Sequence, residues 1–340
     1  MNMGIVSYGL FMPEGFETAG EVAAKSGLPE ETVTALGIER KYAPAPADQP
    51  VVMAVKAARQ AFQNTRGLTP GDVDLVIWTG EEYKDYIAQT ASIRLQEEVG
   101  CRNAWAFDLV GQGVTSIIGL RVARDIMAGD ETVNTVLMAG GTRNIDLVDY
   151  TNRSTAFLMA SSASGGAMLL KRDYPENHVL EACITVDPEM ADEVFVPGGG
   201  TEIPFQPENL RSPSMFYQVS DPAGLSEYLD TRWAPGLAGV VKQVLPDRAP
   251  DYLAMRHLAP RDRQQVLAQL MLKPEQSMAL NNWGHHGPND ILIALDQGLK
   301  RKAVRDGSLV VLASGGIGFT YAAALVRWGV SAKADRRSSI

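Results

Sequence analysis

The sequence predicts an α/β protein built from two related halves, and three observations support this. Residues 103–120 and 277–295 each read as an apolar segment that turns sharply into a helix. Each turn is followed by a helix, an acidic loop and an apolar strand that ends in a glycine pair, Gly140-Gly141 or Gly315-Gly316. Strand and helix patterns also alternate along the chain, which is typical of layered α/β folds with mostly parallel sheets.

Short apolar runs bounded by turn residues predict the strands, and apolar residues at helical spacing predict the helices between them. The predicted strands lie at about 4–10, 73–79, 104–109, 133–139, 164–171, 178–186, 252–256, 278–282, 308–313 and 319–327. The predicted amphipathic helices lie at 50–64, 89–99, 115–127, 225–244, 262–272 and 290–302.

The two predicted halves meet near 173–177, which gives an N-terminal half of residues 1–174 and a C-terminal half of residues 175–340. Within the second half, residues 187–222 are rich in glycine, proline and acidic side chains. We interpret this segment as a loop insertion over a site, because loops of such length in compact domains are often functional. A plain surface excursion is the alternative.

Composition excludes several classes of protein. The net charge of −9 and the lack of a dense Lys/Arg block argue against a nucleic-acid-binding protein. The two cysteines, Cys101 and Cys183, cannot form a disulfide framework or a Cys-based zinc site, and they fit a reducing cytoplasm. The N-terminus does not read as a signal peptide. The longest apolar stretch, 308–330, is interrupted by glycines and polar residues and predicts a β-hairpin rather than a membrane span.

Short segments spread over nearly the whole chain carry a resemblance to a known superfamily. In order, they are GIERKY at 37–42, WAFDL at 105–109, PGGGT at 197–201, Arg256-His257, and SGGIGFT at 314–320. Together they resemble the thiolase superfamily, and within it ketoacyl-ACP synthase III and hydroxymethylglutaryl-CoA synthase. The resemblance implies a five-layer α-β-α-β-α thiolase fold, an acyl-CoA or acyl-ACP thioester as substrate, and no bound cofactor.

The resemblance also exposes departures from the family's active site. The family's nucleophilic cysteine lies five residues after the aspartate of the FD strand, which is Gly113 here. Gln112 lies one residue earlier, and some ketosynthase-like decarboxylases use glutamine in place of cysteine. That register, however, would misplace the following helix. In the second turn the family's Gly-Asn-Thr-Ser becomes Gly-His-His-Gly at 284–287, so that His285 replaces the asparagine.

A set of acid and base groups remains at the expected site. The family's catalytic histidine matches His257, and the fold would place it near His285, where both could donate to a thioester oxygen. Glu82 matches the glutamate that acts as general acid/base in the archaeal type of hydroxymethylglutaryl-CoA synthase, although Glu81 could take its place. The remaining expected substrate contacts are His286, Gly315 and Gly316. For His286, a role as a neighbour or dimer contact is the alternative.

These residues support enolate chemistry without an acyl-enzyme. Gly113 has no side chain that could carry an acyl group, and an aldol or retro-aldol step on a β-hydroxyacyl thioester needs no carrier. The adjacent His285 and His286 lack the i, i+4 spacing of a metal site, so no metal is expected. No P-loop or dinucleotide-binding motif is present.

Three functions remain open at this stage. The first is an enzyme that makes or breaks a C–C bond beside a CoA or ACP thioester. The second is a non-catalytic subunit of a heteromeric complex, and the third is a direct acyltransferase. The resemblance implies a homodimer, or a heterodimer with a related chain, with residues 103–107 at the interface. We expect a cytoplasmic protein that binds neither nucleic acid nor membrane.

Overall fold

The computed structural model describes residues 1–65 and 67–329 of the chain. The strands in these residues are β1 (Met3–Phe11), β2 (Gly15–Thr18), β3 (Arg40–Ala43), β4 (Leu75–Trp78), β5 (Trp105–Asp108), β6 (Thr135–Thr142), β7 (Ser164–Arg172), β8 (His178–Val186), β9 (Val194–Phe195), β10 (Gln218–Val219), β11 (Tyr252–Met255), β12 (Leu309–Gly316) and β13 (Thr320–Arg327). The α-helices are α1 (Ala19–Ser26), α2 (Glu30–Ala35), α3 (Pro50–Gln63), α4 (Ala91–Val99), α5 (Thr115–Gly129), α6 (Pro222–Tyr228), α7 (Ala234–Val244), α8 (Pro260–Gln269) and α9 (Asp290–Lys300).

The main sheet has the strand order β11-β12-β13-β8-β1-β7-β6-β4-β5. The strands that precede residue 175 lie together on one side of the order, and those that follow it lie on the other. The two groups join where Gly4 of β1 lies opposite His178 of β8. The predicted hairpin within 308–330 is formed by β12 and β13, which pair antiparallel from Leu309–Arg327 to Gly316–Thr320.

Helices cover this sheet in layers. Helix α3 begins at Pro50, which suits a first helical turn, and buries Val51, Ala54 and Ala58 at helical spacing against β1, β6 and β7. Helix α4 packs beside it, on β4 and β5. Helices α5 and α9 form the middle layer, between the strands that precede residue 175 and those that follow it. Helix α7 packs on the other face of β8, β12 and β13, and α8 packs against α7. This arrangement confirms the predicted α-β-α-β-α fold.

The two sharp turns have the same backbone course. Gln112 before α5 has φ 54°, Gly287 before α9 has φ 53°, and each begins a single 3-10 turn that leads into its helix. The first residues of the two helices, Thr115 and Asp290, both have φ −52° and ψ −43°. The duplicated turns predicted from the sequence are therefore visible in the backbone.

The strand predicted at 278–282 does not form, and the prediction was wrong there. Other groups occupy the hydrogen-bonding positions of this segment. The Met278 N–H donates to the Tyr252 hydroxyl at 3.3 Å, and the Asn281 carbonyl accepts the N–H of Glu39 at 2.8 Å. Because side chains and a distant loop satisfy the backbone, this apolar run forms a turn rather than a strand.

The helix predicted at 225–244 is interrupted. Helix α6 passes through a π-helical turn, Leu229–Trp233, before α7 begins. Pro235 lies in the first turn of α7 and has no N–H to donate to the preceding turn. Such π turns are frequent at functional sites. Within residues 1–65 and 67–329, no helix combines the length and apolar character needed to cross a membrane.

Candidate active site

A cavity of about 120 Å³ lies where the two turns meet. Its apolar side is formed by Leu36, Phe157, Leu158, Leu229, Trp233, Leu258, Ile317 and Phe319, and its polar side by Glu81, Gln112, Thr142, Asn144, Ser161, Tyr217, Arg256, His257, Asp262 and His285. Residues of both halves contribute to each side. The cavity is smaller than the roughly 300–1,000 Å³ of drug-sized ligand sites, so it suits a short group.

The structure brings together most, but not all, of the residues singled out in the sequence. Those that line the cavity are Gln112, Gly113, His257, His285 and Gly316. Glu82 is exposed at the surface, and the cavity is lined by its neighbour Glu81. His286 and Gly315 lie behind the wall. His286 is fully buried and bonds the Trp283 carbonyl at 2.9 Å, while Gly315 packs against the ring of Trp233.

Gln112 presents the side chain of the first turn. Its positive φ is uncommon for a residue other than glycine, and such backbone strain clusters at functional sites. The Gln112 side-chain amide lines the cavity without a hydrogen-bond partner in the described part of the chain. Gly113 follows it inside the 3-10 turn, where an added Cβ would lie 2.9 Å from the Gly315 carbonyl oxygen. A side chain at 113 is therefore disfavoured, and Gln112 is the residue of this turn whose side chain lines the cavity.

Glu81 is a fully buried carboxyl group in the cavity wall. It follows β4, is 2% exposed, and its Oε2 has no partner among the described residues. The lack of a side chain at Gly287 makes room for it, since an added Cβ there would collide with Oε1. Burial raises the pKa of Glu81 to about 8, while the charge of Arg256 opposes that rise. At neutral pH this side chain is therefore mostly protonated and able to donate a proton.

His257 is a neutral base that faces the cavity. It follows β11, and its Nε2 bonds the Gly37 carbonyl at 2.9 Å, so Nε2 carries the proton and Nδ1 is the acceptor. Burial lowers the pKa of His257 to about 4. The loop that supplies this carbonyl follows α2 and ends at Gly37 with φ 81°, where an added Cβ would lie 3.0 Å from Nε2.

His285 connects the buried acid Asp290 to the partly buried guanidinium of Arg256. Its Nδ1 lies 2.6 Å from Asp290 Oδ2, and its Nε2 lies 3.1 Å from Arg256 Nη2. Because a guanidinium can only donate, Nε2 must accept and Nδ1–H must donate to the carboxylate. His285 is therefore neutral, and burial and the charge of Arg256 both lower its pKa. Neither His257 nor His285 has an N–H free for a thioester oxygen in this arrangement.

Asp290 fixes both histidine segments. As the first residue of α9 it accepts the backbone N–H of His257 at 2.9 Å and of His286 at 2.7 Å, besides the His285 ring. Burial alone would raise the pKa of Asp290, but the neighbouring His285, His286 and Arg256 hold it well below its usual range. Asp290 is therefore ionised, which stabilises the N-terminus of α9 as well as the two segments.

The segment 187–222, interpreted as an insertion over a site, contributes Tyr217 to the cavity wall. The Asn144 Nδ2 donates to the Tyr217 hydroxyl at 3.1 Å, and the Tyr217 N–H donates to the Leu147 carbonyl at 2.9 Å. Burial, and then the charge of Glu81, raise the pKa of Tyr217. This hydroxyl is therefore a neutral group near Glu81.

Neither cysteine lies at the cavity. Cys101 is buried in the outer layer with α3 and α4, and burial raises its pKa to about 12. The Cys183 thiol, in β8, bonds Gln243 Oε1 at 2.7 Å. No cluster of three or more potential metal ligands occurs within residues 1–65 and 67–329.

Sequence reasoning missed Arg256 and Asp290 as site residues and placed Glu81 second to Glu82. Arg256 directly precedes the matched histidine and directly follows the apolar run 252–255. A charged residue in that position could have indicated a site residue. Asp290 occupied the start of a predicted helix, where an acidic residue is common and carries no specific signal.

Comparison with known proteins supports the resemblance. The family described as 3-oxoacyl-[acyl-carrier-protein] synthase III matches residues 107–188, and its C-terminal family matches residues 245–328. The chain is therefore similar in sequence to synthase III proteins, and it has a thiolase-type fold. It is 26% identical to a β-ketoacyl-[acyl-carrier-protein] synthase III of Symbiobacterium thermophilum over 96% of this chain and 98% of the relative. A synthase III of Roseiflexus castenholzii is also 26% identical, over 95% of this chain and 97% of the relative.

Solved structures show the same fold. A 3-oxoacyl-(acyl carrier protein) synthase III of Pseudomonas aeruginosa has a TM-score of 0.82 at 21% identity, covering 96% of this chain and 98% of that one. A variant of Xanthomonas campestris OleA with bound lauric acid and lauroyl-CoA has a TM-score of 0.79 at 16% identity, covering 96% and 99%. At these identities the likeness establishes the fold.

Proposed function

We propose that this synthase III-like chain acts on an acyl-CoA or acyl-ACP thioester, and makes or breaks a C–C bond beside the thioester carbonyl without an acyl-cysteine. The observation that carries the proposal is the composition of the cavity. It combines the amide of Gln112, the imidazole of His257 and the protonated carboxyl of Glu81, and neither cysteine lies near them. The similarity to β-ketoacyl-ACP synthases III supports a thioester substrate.

An aldol step assigns one role to each group. The Gln112 amide donates to the thioester oxygen, where negative charge develops as an enolate forms. The Nδ1 atom of His257 takes the proton from the α-carbon. The enolate carbon then adds to a second carbonyl, and Glu81 gives its proton to the new alkoxide. The reverse sequence cleaves a β-hydroxyacyl thioester by the same transfers.

The neighbouring residues support these groups rather than react. We assign the general-acid role to Glu81 instead of Glu82, because only Glu81 lines the cavity. His285 positions Arg256 and Asp290, and Gly316 leaves room for the turn, since a Cβ on it would lie 3.3 Å from the Gln112 Cβ.

Turnover and intact-mass measurements test the proposal together. Acyl-CoA and β-hydroxyacyl-CoA thioesters are incubated with the chain, and condensation or cleavage products are measured by mass spectrometry. His257→Ala should abolish turnover and Glu81→Gln should lower it roughly 10²-fold, as expected for loss of an acid or base. The matched Glu82→Gln, and Cys101→Ser with Cys183→Ser, should stay near the native rate. An acyl-cysteine on the native chain would contradict the mechanism.

A two-fold assembly is the second part of the proposal. Strand β5 is an edge strand that pairs only with β4 in the described part of the chain. Its Trp105 is 49% exposed and stacks on Phe107 with ring centroids 5.5 Å apart. We propose that a second copy, or a related chain, covers this edge. Full activity of a two-chain complex after His257→Ala would identify this chain as its non-catalytic subunit.

A further inference from the structure

Arg256 places a positive charge deep in the cavity wall. It directly follows β11, its guanidinium lies 4.9 Å from the centroid of the Trp233 ring, and part of its surface faces the cavity. A buried charge is costly unless a partner of opposite charge or a full set of hydrogen bonds compensates for it. The partners of this side chain therefore show what it lacks.

Neutral acceptors take only part of the donor capacity of Arg256. Its Nε donates to the His257 carbonyl at 3.1 Å, one terminal nitrogen donates to the Gly315 carbonyl, and the other donates to His285 Nε2 at 3.1 Å. A guanidinium has five N–H groups, so one N–H on each terminal nitrogen remains. None of the ion pairs formed within residues 1–65 and 67–329 includes Arg256.

The nearby carboxyl groups are committed elsewhere. Asp290 receives three hydrogen bonds and reaches Arg256 only through the His285 ring. Glu81 is buried and keeps its proton at neutral pH. Asp262 lies on the cavity wall near Arg256 but forms no ion pair with it. Asp290 and Glu81 act on the charge of Arg256 without a direct ion pair, so Arg256 faces the cavity with no carboxylate of the described residues bound to it.

We infer that Arg256 binds a carboxylate carried beyond the α-carbon of the acyl group, so that the preferred substrates are succinyl- and glutaryl-type thioesters. A guanidinium with an unused N–H on each terminal nitrogen can donate to the two oxygens of a carboxylate, which is the pairing for which arginine is suited. The small cavity favours a short acyl group. In succinyl and glutaryl thioesters the carboxylate is not on the α-carbon, so its loss as CO₂ would not leave a thioester enolate. It therefore serves recognition and remains in the product. This inference rests on the proposed thioester function.

Binding measurements test the inference without turnover. Calorimetry on the full chain compares succinyl-CoA with butyryl-CoA, and glutaryl-CoA with pentanoyl-CoA, because each pair differs mainly in a terminal carboxylate against a methyl group. The dicarboxylic member of at least one pair should bind roughly tenfold more tightly, as expected for hydrogen bonds to a charged group. Arg256→Gln should remove this difference, and Arg256→Lys should keep part of it.

Arg261→Gln is the matched control, because Arg261 is exposed, pairs with Asp230 at 2.7 Å and lies outside the cavity. It should retain the native preference. Equal affinities within both native pairs would overturn the inference, as would an Arg256→Gln variant that weakens both members equally. If Arg256→Gln fails to fold, the Arg256→Lys result decides. Failure of every CoA thioester to bind would instead reject the proposed function itself.

Discussion

The buried carboxyl of Glu81 leads to a prediction about stability as well as about chemistry. Its pKa is about 8 in the folded chain and about 4.5 when exposed. The folded state therefore binds the proton more tightly than the unfolded state. As pH rises above 4.5 the unfolded chain ionises first, and the free energy of unfolding falls until the folded carboxyl also ionises near pH 8.

Replacing Glu81 by the isosteric, uncharged glutamine removes this penalty. One pH unit of pKa difference corresponds to about 1.4 kcal/mol. Between pH 6.0 and 8.5, both above the sequence pI near 5.1, the stability gained by Glu81→Gln over the native chain should grow by roughly 2–3 kcal/mol. At about 2.1 cal/mol/K of unfolding entropy per residue, this equals about 3–4 °C in Tm for a chain of 340 residues.

Calorimetric scans of the native chain, Glu81→Gln and Glu82→Gln at the two pH values measure this difference. Titrations elsewhere in the chain cancel because only the difference between variants is compared. Glu82→Gln is the matched control, because Glu82 is exposed. A Tm gain for Glu81→Gln that is equal at both pH values, or smaller at pH 8.5, would refute the assignment of a raised pKa. If the pKa of Glu81 is raised as described, turnover should also decline near pH 8, because Glu81 loses the proton that it donates.

Three further outcomes are expected. Gly113→Ala should destabilise the chain by about 1–3 kcal/mol in urea unfolding, because the new Cβ meets the Gly315 carbonyl oxygen. Gly129→Ala is the control, because the space around Gly129 is open, and it should not destabilise the chain. Equal effects of the two substitutions would contradict this reasoning. Trp105→Glu should shift the assembly to monomers in sedimentation, and an unchanged oligomer would argue against pairing at β5. Burial holds the pKa of His257 and of His286 near 4 in the folded chain, and Glu81 changes stability in the opposite direction over the same pH range. In the Glu81→Gln variant, the unfolding free energy should therefore fall as pH drops from about 6.5 towards 4, by up to roughly 3 kcal/mol for each histidine; a flat urea-unfolding profile of that variant would contradict it.

The sequence was sufficient for elements that bury long apolar runs. The β12–β13 hairpin and helices α3, α5 and α9 lie where the apolar spacing predicts them, because burial on one or both faces leaves a clear periodic pattern. The segment 278–282 carries a similar short apolar run but forms a turn. Its backbone partners come from Tyr252 and Glu39, which are distant in sequence, and no local pattern reveals such partners.

At the site, the sequence does not show which of two adjacent residues faces the cavity. Glu81 and Glu82 are adjacent acids in the turn after β4, and there the first is buried and the second is exposed. A shift of one residue therefore exchanges a buried acid for an exposed one. Gln112 and Gly113 pose the same problem, because the length of the loop before the turn decides which residue adopts the positive φ. Only the backbone conformation decides between the two.

The sequence departs from the family pattern in both turns, at Gly113 before α5 and at His285 before α9. The resemblance implies a cysteine on the first turn and an asparagine amide on the second. In this chain the second turn has His285, whose two nitrogens are held by Asp290 and Arg256 and cannot donate into the cavity. The first turn instead presents the amide of Gln112. The cavity therefore has an amide beside His257, and the first turn supplies it.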